Sequence, residues 1–397
     1  MIQSKAYKFK FYPNPKQRQV LAKTFGCARF VYNTLLHYRS TSYKNGTSIN
    51  FYQASKHLTS IKKEFTFLKE VSSVPLQQAG RNLQSAYSRF FKKQARYPKF
   101  KKKSNRQSAT FTKNSFSWNN HKLSVSKGLG KLKIKFSRKV RVHPDSITIS
   151  KEPSGKYFVS FKLKEDIEPL SKVDKKIGID LGIKTLAVTS DGVKTLNPKS
   201  FDRYKKQLAF LQKSLSRKKK GSSNREKARL KVAKCHSRIA SLRRDYINKF
   251  TTQIVRENQV ICIENLNVAG MIRNRKLARH IADASWGEIS RQFKYKCDWY
   301  GRELKIIDRF YPSSRLCNGC KFKNTKLKLS DRVWKCSNCN DINDRDLNAA
   351  KNILEAGLVS CGETVRPSRV STRRVLLKQE PPIKLGTAKR LAGIPVL

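Results

Sequence analysis

Alternating hydrophobic and polar positions mark both ends of the N-terminal half of the chain. The opening segment AYKFKFYP alternates aromatic residues with lysine, which predicts a half-buried strand with one basic face. Strand patterns return between residues 111 and 163 and predict a small β-barrel, in which KLKIKFSRKVRVHP would be an exposed strand. Between these parts, apolar residues recur at helical spacing from residue 20 to about residue 91, which predicts a helical bundle inserted after the first strand.

The C-terminal half shows a different pattern. KIGIDLGIKTLAVTSDG predicts a buried strand, a turn and a second strand, while VICIENLN and ELKIID predict two more. Basic amphipathic helices are predicted at residues 201–215 and 224–258, another near 290–300, and a last one in DLNAAKNILEAG. Alternating strands and helices predict an α/β unit, so the whole chain is predicted to be α+β and multidomain. Residues 362–397 are basic and lack periodicity, which predicts a flexible tail.

Charge adds a strong indication of the partner. The chain has 87 Lys and Arg residues against 27 Asp and Glu, a net charge of +60. Such a body repels itself unless a polyanion neutralises it, and nucleic acid is the obvious polyanion. Residues 71–144 contain no acid at all, and within them Lys101, Lys102 and Lys103 predict a surface that follows phosphates. A ribosomal or chromatin-like binding protein would have a similar composition, so chemistry needs separate evidence.

Two further features bear on the compartment. No apolar run approaches the roughly 20 residues that a transmembrane helix needs, and the N-terminus has no continuous apolar signal segment. The nine cysteines are an odd number, and four of them form two CxxC pairs, which suits a reducing compartment. We therefore predict a protein of the bacterial cytosol and nucleoid, without a membrane partner.

Three carboxylates are candidates for catalysis. Asp180 lies in the apolar KIGIDLG, Glu264 ends an apolar strand, and Asp346 lies in the first turn of the last helix. Each alone could be a turn aspartate, a strand-end acid or a helix N-terminal acid, but a buried carboxylate is costly unless it is paired or binds metal. Together they could hold two Mg²⁺ or Mn²⁺ ions about 4 Å apart for phosphodiester hydrolysis. Asp344 competes with Asp346, and spacing alone does not decide between them.

The cysteine pairs predict a second metal site. Cys317, Cys320, Cys336 and Cys339 form CxxC, fifteen residues, CxxC, the spacing of a tetrahedral zinc site. Four thiolates leave no open position for water, so the zinc is predicted to be structural. The remaining cysteines are scattered and are predicted to be core or neutral residues.

These motifs together resemble a known family. GIDLG, IENL, the CxxC pairs and DRDLNAAKNI resemble TnpB, the RNA-guided nuclease family of bacterial insertion sequences that is regarded as ancestral to type V CRISPR effectors. AYKFKFYPNPKQ, FGCARFVYN, FLKEVSSVPLQQA, RYPKFKKK and FYPSSRLCNGC extend the resemblance to about residue 367. The family's usual glycine after each second cysteine is Lys321 or Asn340 here, a departure expected to reshape the knuckle turns without preventing zinc binding.

The resemblance implies an architecture and a choice of ligands. Asp180, Glu264 and Asp346 would be the metal ligands of an RNase H-like RuvC domain, which favours Asp346 over Asp344. The implied units are a wedge-like barrel (1–12 and 107–170), a helical recognition domain (13–106), the RuvC domain (171–313 and 341–361) and a zinc-ribbon insert (314–340) that binds target nucleic acid.

The resemblance also implies partners. One protein per guide RNA is expected, with the RNA derived from the transposon end and double-stranded DNA as target, cut beside a short transposon-adjacent motif. Gln77, Gln78 and Thr112 match motif-reading positions by loose alignment, and glutamine can pair with adenine in the major groove. An ordinary polar helix face or strand turn would explain them equally.

Two other functions compete. A DNA-binding regulator built on an inactive nuclease would be expected to lose catalytic acids, whereas all three candidates are present. A transposase of the RNase H superfamily would usually end its acid series with Glu on a helix. Here the order is Asp, Glu, Asp, and a cysteine cluster separates the last two.

Overall fold

The computed structural model of the protein describes residues 2–119, 121–328 and 330–359. The predicted tail, residues 362–397, lies outside them. The helices are α1 (Pro15–Lys44), α2 (Phe51–Glu64), α3 (Ser73–Phe91), α4 (Ser200–Ser216), α5 (Ser223–Glu257), α6 (Val268–Met271), α7 (Ala278–Ala284), α8 (Trp286–Tyr300) and α9 (Arg345–Val359).

The strands fall into an N-terminal and a C-terminal set. The first set is β1 (Ile2–Phe11), β2 (Gln107–Thr112), β3 (Phe116–Asn119), β4 (Lys122–Val125), β5 (Gly130–Lys131), β6 (Ile134–Lys135), β7 (Ser146–Lys151) and β8 (Tyr157–Asp166). The second is β9 (Lys176–Leu181), β10 (Thr185–Thr189), β11 (Lys194–Leu196), β12 (Val260–Glu264), β13 (Glu303–Ile307), β14 (Val333–Lys335) and β15 (Ile342–Asp344).

The N-terminal sheet has the order β2-β7-β8-β1-β6 and is antiparallel throughout. All ten residues of β1 pair with β8, and the alternation of β1 buries Phe9 and Phe11 while Lys8 and Lys10 lie on the opposite face. The predicted small β-barrel is found in a coarser form. The sheet is a curled half-barrel, because β6 pairs with β1 over only two residues and the described part of the chain shows no pairing between β6 and β2. Of the predicted strand KLKIKFSRKVRVHP, only Lys131 at the end of β5 and the two residues of β6 are in strands.

Helices α1, α2 and α3 pack around an apolar core of their own, as the helical spacing predicted. Helix α1 begins with a capping box between Asn14 and Gln17, and Pro15 occupies its first turn. The Gln17 amide also donates to the carbonyls of Leu129 (2.7 Å) and Lys131 (2.8 Å). This one side chain therefore both caps the bundle's first helix and ties it to β5, which belongs to a separate three-stranded sheet of the order β3-β4-β5.

The C-terminal sheet has the order β11-β10-β9-β12-β13, with β10 antiparallel to its neighbours and β9, β12 and β13 mutually parallel. One face packs on α5, α7 and α8 through residues such as Ile179 and Ile263. The opposite face packs on α9 through Cys262 and Ile353. Because strand side chains alternate in direction, Asp180 and Glu264 belong to the face that α9 covers.

Two glycines let α9 approach this sheet closely. A Cβ on Gly178 would lie 2.1 Å from the Ala350 carbonyl, and one on Gly357 would lie 2.4 Å from Cys262 Sγ. Any larger residue at either position would have to displace α9 or the sheet. The first glycine of KIGIDLG is therefore a packing requirement, and it fixes the distance between α9 and the strand that carries Asp180.

Between β13 and α9 the chain forms a small unit from the two CxxC segments and the β14–β15 hairpin, centred on Leu327, Trp334 and the cysteines. No helix in the described ranges is long and apolar enough to cross a membrane.

Candidate active site and metal centre

The register of the C-terminal sheet brings the first two candidate acids together. Strands β9 and β12 are parallel neighbours with Ile179 beside Ile263, so Asp180 and Glu264 follow at the same level. Burial is the main cause that raises the pKa of Asp180 to about 7, and the nearby charges of Glu264 and Asp346 raise it further. Asp180 is thus a partly exposed but strongly desolvated acid close to other acids, which is an environment that favours a cation.

Helix α9 brings in the third acid. It crosses β9 where Gly178 meets Ala350. From this crossing, Asp180 lies two residues further along β9, a distance of roughly 7 Å along the strand. Asp346 lies four residues before Ala350, a distance of roughly 6 Å along the helix. The influence of Asp346 on the pKa of Asp180 agrees with this placement.

The structure also separates the two aspartates at the start of α9. Asp344 Oδ1 accepts hydrogen bonds from the backbone N–H groups of Asp346 and Leu347, each at 3.1 Å, which is the geometry of a helix cap. Its other oxygen binds Lys194 Nζ at 2.7 Å. Asp344 is thus engaged as a cap and in an ion pair, while Asp346 lies near Asp180. The assignment of Asp346 as third ligand remains a prediction.

Two side chains that sequence reasoning did not single out contact these acids. The Ser313 hydroxyl donates to Glu264 Oε1, and Arg332 lies 3.4 Å from Asp346 Oδ1. Burial raises the pKa of Glu264, and the Ser313 hydrogen bond opposes that shift. The three carboxylates do not form a closed cluster, since the four cysteines are the one such group within the described ranges. The motif FYPSSRLC carries the only sequence signal for Ser313.

The four cysteines do form a compact group. Their sulfur atoms all lie within 4.8 Å of one another, with Cys317 and Cys339 at 3.6 Å and Cys320 and Cys336 at 3.5 Å. Thiolates about 2.3 Å from a tetrahedral zinc ion would lie roughly 3.8 Å apart, whereas a disulfide would need about 2.05 Å. The spacing of the sulfur atoms therefore fits four ligands of one metal ion.

The knuckle turns keep the geometry that glycine favours. Lys321 has φ of 63° and Asn340 has φ of 66°, both in the left-handed region. The Lys321 N–H donates to the Cys317 carbonyl at 2.9 Å, and the Asn340 N–H donates to the Cys336 carbonyl at 3.0 Å. The expectation that these residues reshape the turns is therefore wrong. The turns are retained, with the cost of a left-handed conformation at Lys321.

Two buried asparagines on α9 connect the cysteine unit to the acid site. The side-chain oxygen of Asn348 accepts a hydrogen bond from the Asn318 N–H at 2.8 Å. The Asn352 side-chain amide donates hydrogen bonds to the carbonyls of Ser313 (2.8 Å) and Leu316 (2.7 Å). Ser313 in turn bonds Glu264. One helix therefore holds both the first CxxC segment and the residue that contacts a candidate catalytic acid. The i, i+4 spacing of two asparagines in DLNAAKNIL was the available sequence signal for these contacts, and sequence reasoning did not use it.

The predicted phosphate-binding lysines are not equivalent. The backbone of Lys101 exchanges hydrogen bonds with the side chain of Asn33, at 2.8 and 3.1 Å, and its ammonium group lies 3.9 Å from the Tyr32 ring centroid. Burial of that group lowers the pKa of Lys101, although the residue as a whole is exposed. Lys102 and Lys103 are exposed and free of such ring contacts among those observed, so they fit the predicted role better.

The predicted motif-reading residues lie on two elements. Gln77 is exposed and Gln78 partly exposed on α3, and Thr112 ends β2, where its carbonyl accepts a hydrogen bond from Ser115 at 2.7 Å. Their role in reading DNA stays a prediction.

Three family models match the chain. The IS605 OrfB model, described as "Probable transposase", matches residues 158–275. A "Helix-turn-helix domain" of the same family matches residues 1–48, although the structure has one strand and a single 30-residue helix there. The Cas12f1-like TNB domain matches residues 286–353, which include the four cysteines.

Comparisons over the whole length define the class and then the family. A cryo-EM structure of a Cas12f1–sgRNA–target DNA complex is similar to this chain, with a TM-score of 0.55 at 12% sequence identity. The match covers 89% of this chain and 98% of the Cas12f1 chain, so this chain has a Cas12f-like fold. A "Putative RNA-guided DNA endonuclease" of Streptomyces pristinaespiralis is 45% identical over 99% of this chain and 98% of the relative. The "Putative RNA-guided DNA endonuclease InsQ" of Escherichia coli K12 is 32% identical over 96% and 98%. The chain belongs to the TnpB family.

Proposed function

We propose that this protein is an RNA-guided DNA endonuclease that cuts double-stranded DNA beside a short transposon-adjacent motif. Asp180, Glu264 and Asp346 are its catalytic metal ligands. Two close relatives carry the name of this activity and span nearly the whole chain. The observation that carries the proposal is that Asp180 and Glu264 follow at the same level on adjacent parallel strands and that Asp346 of α9 is near enough to raise the pKa of Asp180.

The order of the C-terminal sheet supports an RNase H-like nuclease domain. Numbered along the chain, its strands lie in the order third, second, first, fourth, fifth. The first strand carries Asp180 and the fourth carries Glu264, while the helix after the fifth strand carries Asp346. We assign residues 171–313 and 341–361 to this domain and 314–340 to the ribbon insert.

The mutual repulsion of the three carboxylates supports a divalent metal site. Asp180 is only partly exposed, and desolvation together with the two neighbouring carboxylates raises its pKa, so a cation there would relieve both the desolvation and the repulsion. Mg²⁺ or Mn²⁺, when bound, would supply water activation and stabilisation of the leaving oxygen. Ser313 orients the Glu264 carboxylate by hydrogen bonding, and Arg332 carries positive charge beside Asp346.

The cysteine cluster supports a structural zinc ion. Its four sulfur atoms are already grouped, and Asn343 Nδ2 lies 3.7 Å from Cys317 Sγ as a further hydrogen-bond donor. Zinc would fix the segment that Asn348 and Asn352 attach to α9. Its role is therefore to hold the ribbon beside the acid site rather than to take part in the reaction.

A guide RNA and a DNA target account for the charge of the chain. A net charge of +60 exceeds the need of one short duplex contact. Lysine contacts phosphates without identifying bases, which suits a protein whose sequence specificity comes from base pairing. We propose that the RNA derives from the transposon end and that one protein binds each RNA.

The test is to move the cut by changing the RNA. Protein freed of RNA and supplied with Mg²⁺ should not cut duplex DNA at a defined site. Adding an RNA with a matched guide segment should produce a cut at a fixed distance from the adjacent motif, and a new guide should move it. Site-specific cutting by RNA-free protein, at a place that no guide changes, would refute the proposal and favour a transposase. Guide-dependent binding without any cutting would favour a regulator.

A further inference from the structure

The loop that follows β13 presents an unusual side chain. Phe310 is 85% exposed, the largest exposed fraction among the large apolar side chains of residues 2–119, 121–328 and 330–359. Its neighbour Tyr311 is instead partly buried and packs against the apolar cluster of Val260, Cys262, Ile307 and Ile353 beneath α9. The Tyr311 ring thus packs inward, whereas the ring of the preceding Phe310 lies in solvent. Exposure of an apolar ring to water is unfavourable.

The backbone around Phe310 is held at several points. The Phe310 N–H donates to Asp308 Oδ1 at 2.7 Å, and the Tyr311 N–H donates to the Asp308 carbonyl at 3.3 Å. Three residues further on, the Ser313 carbonyl accepts the buried Asn352 amide at 2.8 Å. These bonds fix the path of the loop, so the exposed ring is presented from a defined backbone.

This loop borders the candidate active site. Strand β13 ends at Ile307, which pairs with Glu264 of β12, and the loop begins at the next residue. Arg309 Nε reaches back to the Asn265 carbonyl at 3.4 Å, immediately after Glu264. At its far end, the Ser313 hydroxyl donates to Glu264 itself. Both ends of the loop therefore contact the strand end that carries a proposed catalytic acid.

We infer that Phe310 stacks on a base of the DNA strand being cut and so positions that strand over the acids. An exposed aromatic ring on a fixed backbone is the element that binds unpaired bases, and it does so without sequence preference. The strand in the active site is the ligand closest to this loop, because the acids must reach its phosphate. Phe310 is thus a positioning residue for the reaction, and this inference rests on the proposed function.

Substitution of Phe310 tests the inference in the RNA-loaded complex. With target DNA below saturation, Phe310→Ala and Phe310→Leu should lower the cleavage rate at least about fivefold, the weaker end of base–aromatic stacking. Phe310→Tyr and Phe310→Trp should restore it, since they keep a flat ring. Guide RNA affinity should be unchanged in all four. Phe210, which is 71% exposed on α4, offers the matched control, and Phe210→Ala should cut like the wild type.

A DNA with one missing base separates stacking from a structural role. Abasic nucleotides placed one at a time near the cut should lower wild-type cleavage at one position, and the same lesion should cost the Phe310→Ala protein nothing further. Equal losses in both proteins, or rescue by Leu as complete as by Tyr, would overturn the inference. A wild-type complex that makes no guided cut would instead refute the proposed function, and that result is visible before any variant is compared.

Discussion

The two candidate metal sites of this protein share a helix but differ in how they are built. The cysteine site is closed, with four sulfur atoms within 4.8 Å of one another and knuckle turns that aim them inward. The acid site is open. Its carboxylates come from three elements, Glu264 is bonded to Ser313 and Asp346 lies near Arg332, and the pKa of Asp180 is raised to about 7 by burial and by the other two acids.

This difference follows from what each site does in our account. A structural metal needs all its positions filled by the protein, so a complete shell of thiolates serves it best. A catalytic metal must leave positions for water and for the substrate phosphate, so the protein supplies only part of the shell. Helix α9 supports both, through Asn348 and Asn352 on the cysteine side and Asp346 at its start.

The largest expected effect comes from removing charge at the open site. Asp180→Asn and Glu264→Gln should each lower guided cleavage at least about 1,000-fold, roughly 4 kcal/mol in activation free energy, because the metal site loses a ligand. Guide RNA affinity should stay near wild type, since it comes from many Lys and Arg residues. Gel-based cleavage assays and RNA binding isotherms measure the two. Residual cutting within about tenfold of the wild type would show that the acids are not the ligands.

The closed site should respond in composition and stability. Elemental analysis should find about one zinc ion per chain, and replacing Cys317 and Cys320 together by Ser should remove it. The free energy of unfolding should fall, because the ribbon loses the bonds that fold it. Cys235→Ser, at a cysteine buried between α4 and α5, is the control and should keep the zinc. Full zinc content after the double substitution would show that these cysteines are not the ligands.

Substitution at the contact between α9 and the sheet should lower stability nearly as much as loss of the zinc. Gly178→Ala places a Cβ 2.1 Å from the Ala350 carbonyl, so it should destabilise the protein by about 1–3 kcal/mol or more and displace Asp346 from Asp180. Gly26→Ala in α1 meets nothing within 4 Å and should instead stabilise by about 0.5–1 kcal/mol. Chemical denaturation compares them. Equal stability of the two variants would mean that α9 does not lie this close to β9.

The sequence predicted features that depend on local pattern and missed those that depend on neighbours from distant parts of the chain. Apolar strands ending in acids, helical spacing and CxxC pairs were sufficient to predict β9, β12, α9 and the cysteine cluster. The half-barrel form of the N-terminal sheet depends on the short pairing between β6 and β1, which no local pattern determines. Ser313 and Arg332 contact acids 49 and 14 positions away, so their sequence neighbourhood did not show which residues they would contact.

The effect of pH should sharpen the comparison of the two sites. Because the pKa of Asp180 is about 7 in the folded protein against 3.8 ordinarily, the folded state keeps a proton that the unfolded chain loses. Without divalent cations, raising the pH from 5 to 8 should therefore remove stability, by at most about 1.4 kcal/mol per pH unit. Asp180→Asn has no carboxyl group at this position and should not lose stability in this way. Its free energy of unfolding relative to the wild type should therefore rise with pH, and Mg²⁺ should reduce that difference. Parallel stability profiles of the two proteins would contradict a raised pKa of Asp180.

The most direct test of the central claim compares two neighbouring carboxylates at the start of α9. Asp344 caps the helix and pairs with Lys194, whereas Asp346 lies near Asp180. In RNA-loaded complexes on the same target, Asp346→Ala should abolish guided cleavage while Asp344→Ala keeps part of it, because loss of a cap costs only about 0.5–2 kcal/mol of stability. An active Asp346→Ala beside an inactive Asp344→Ala would contradict the account.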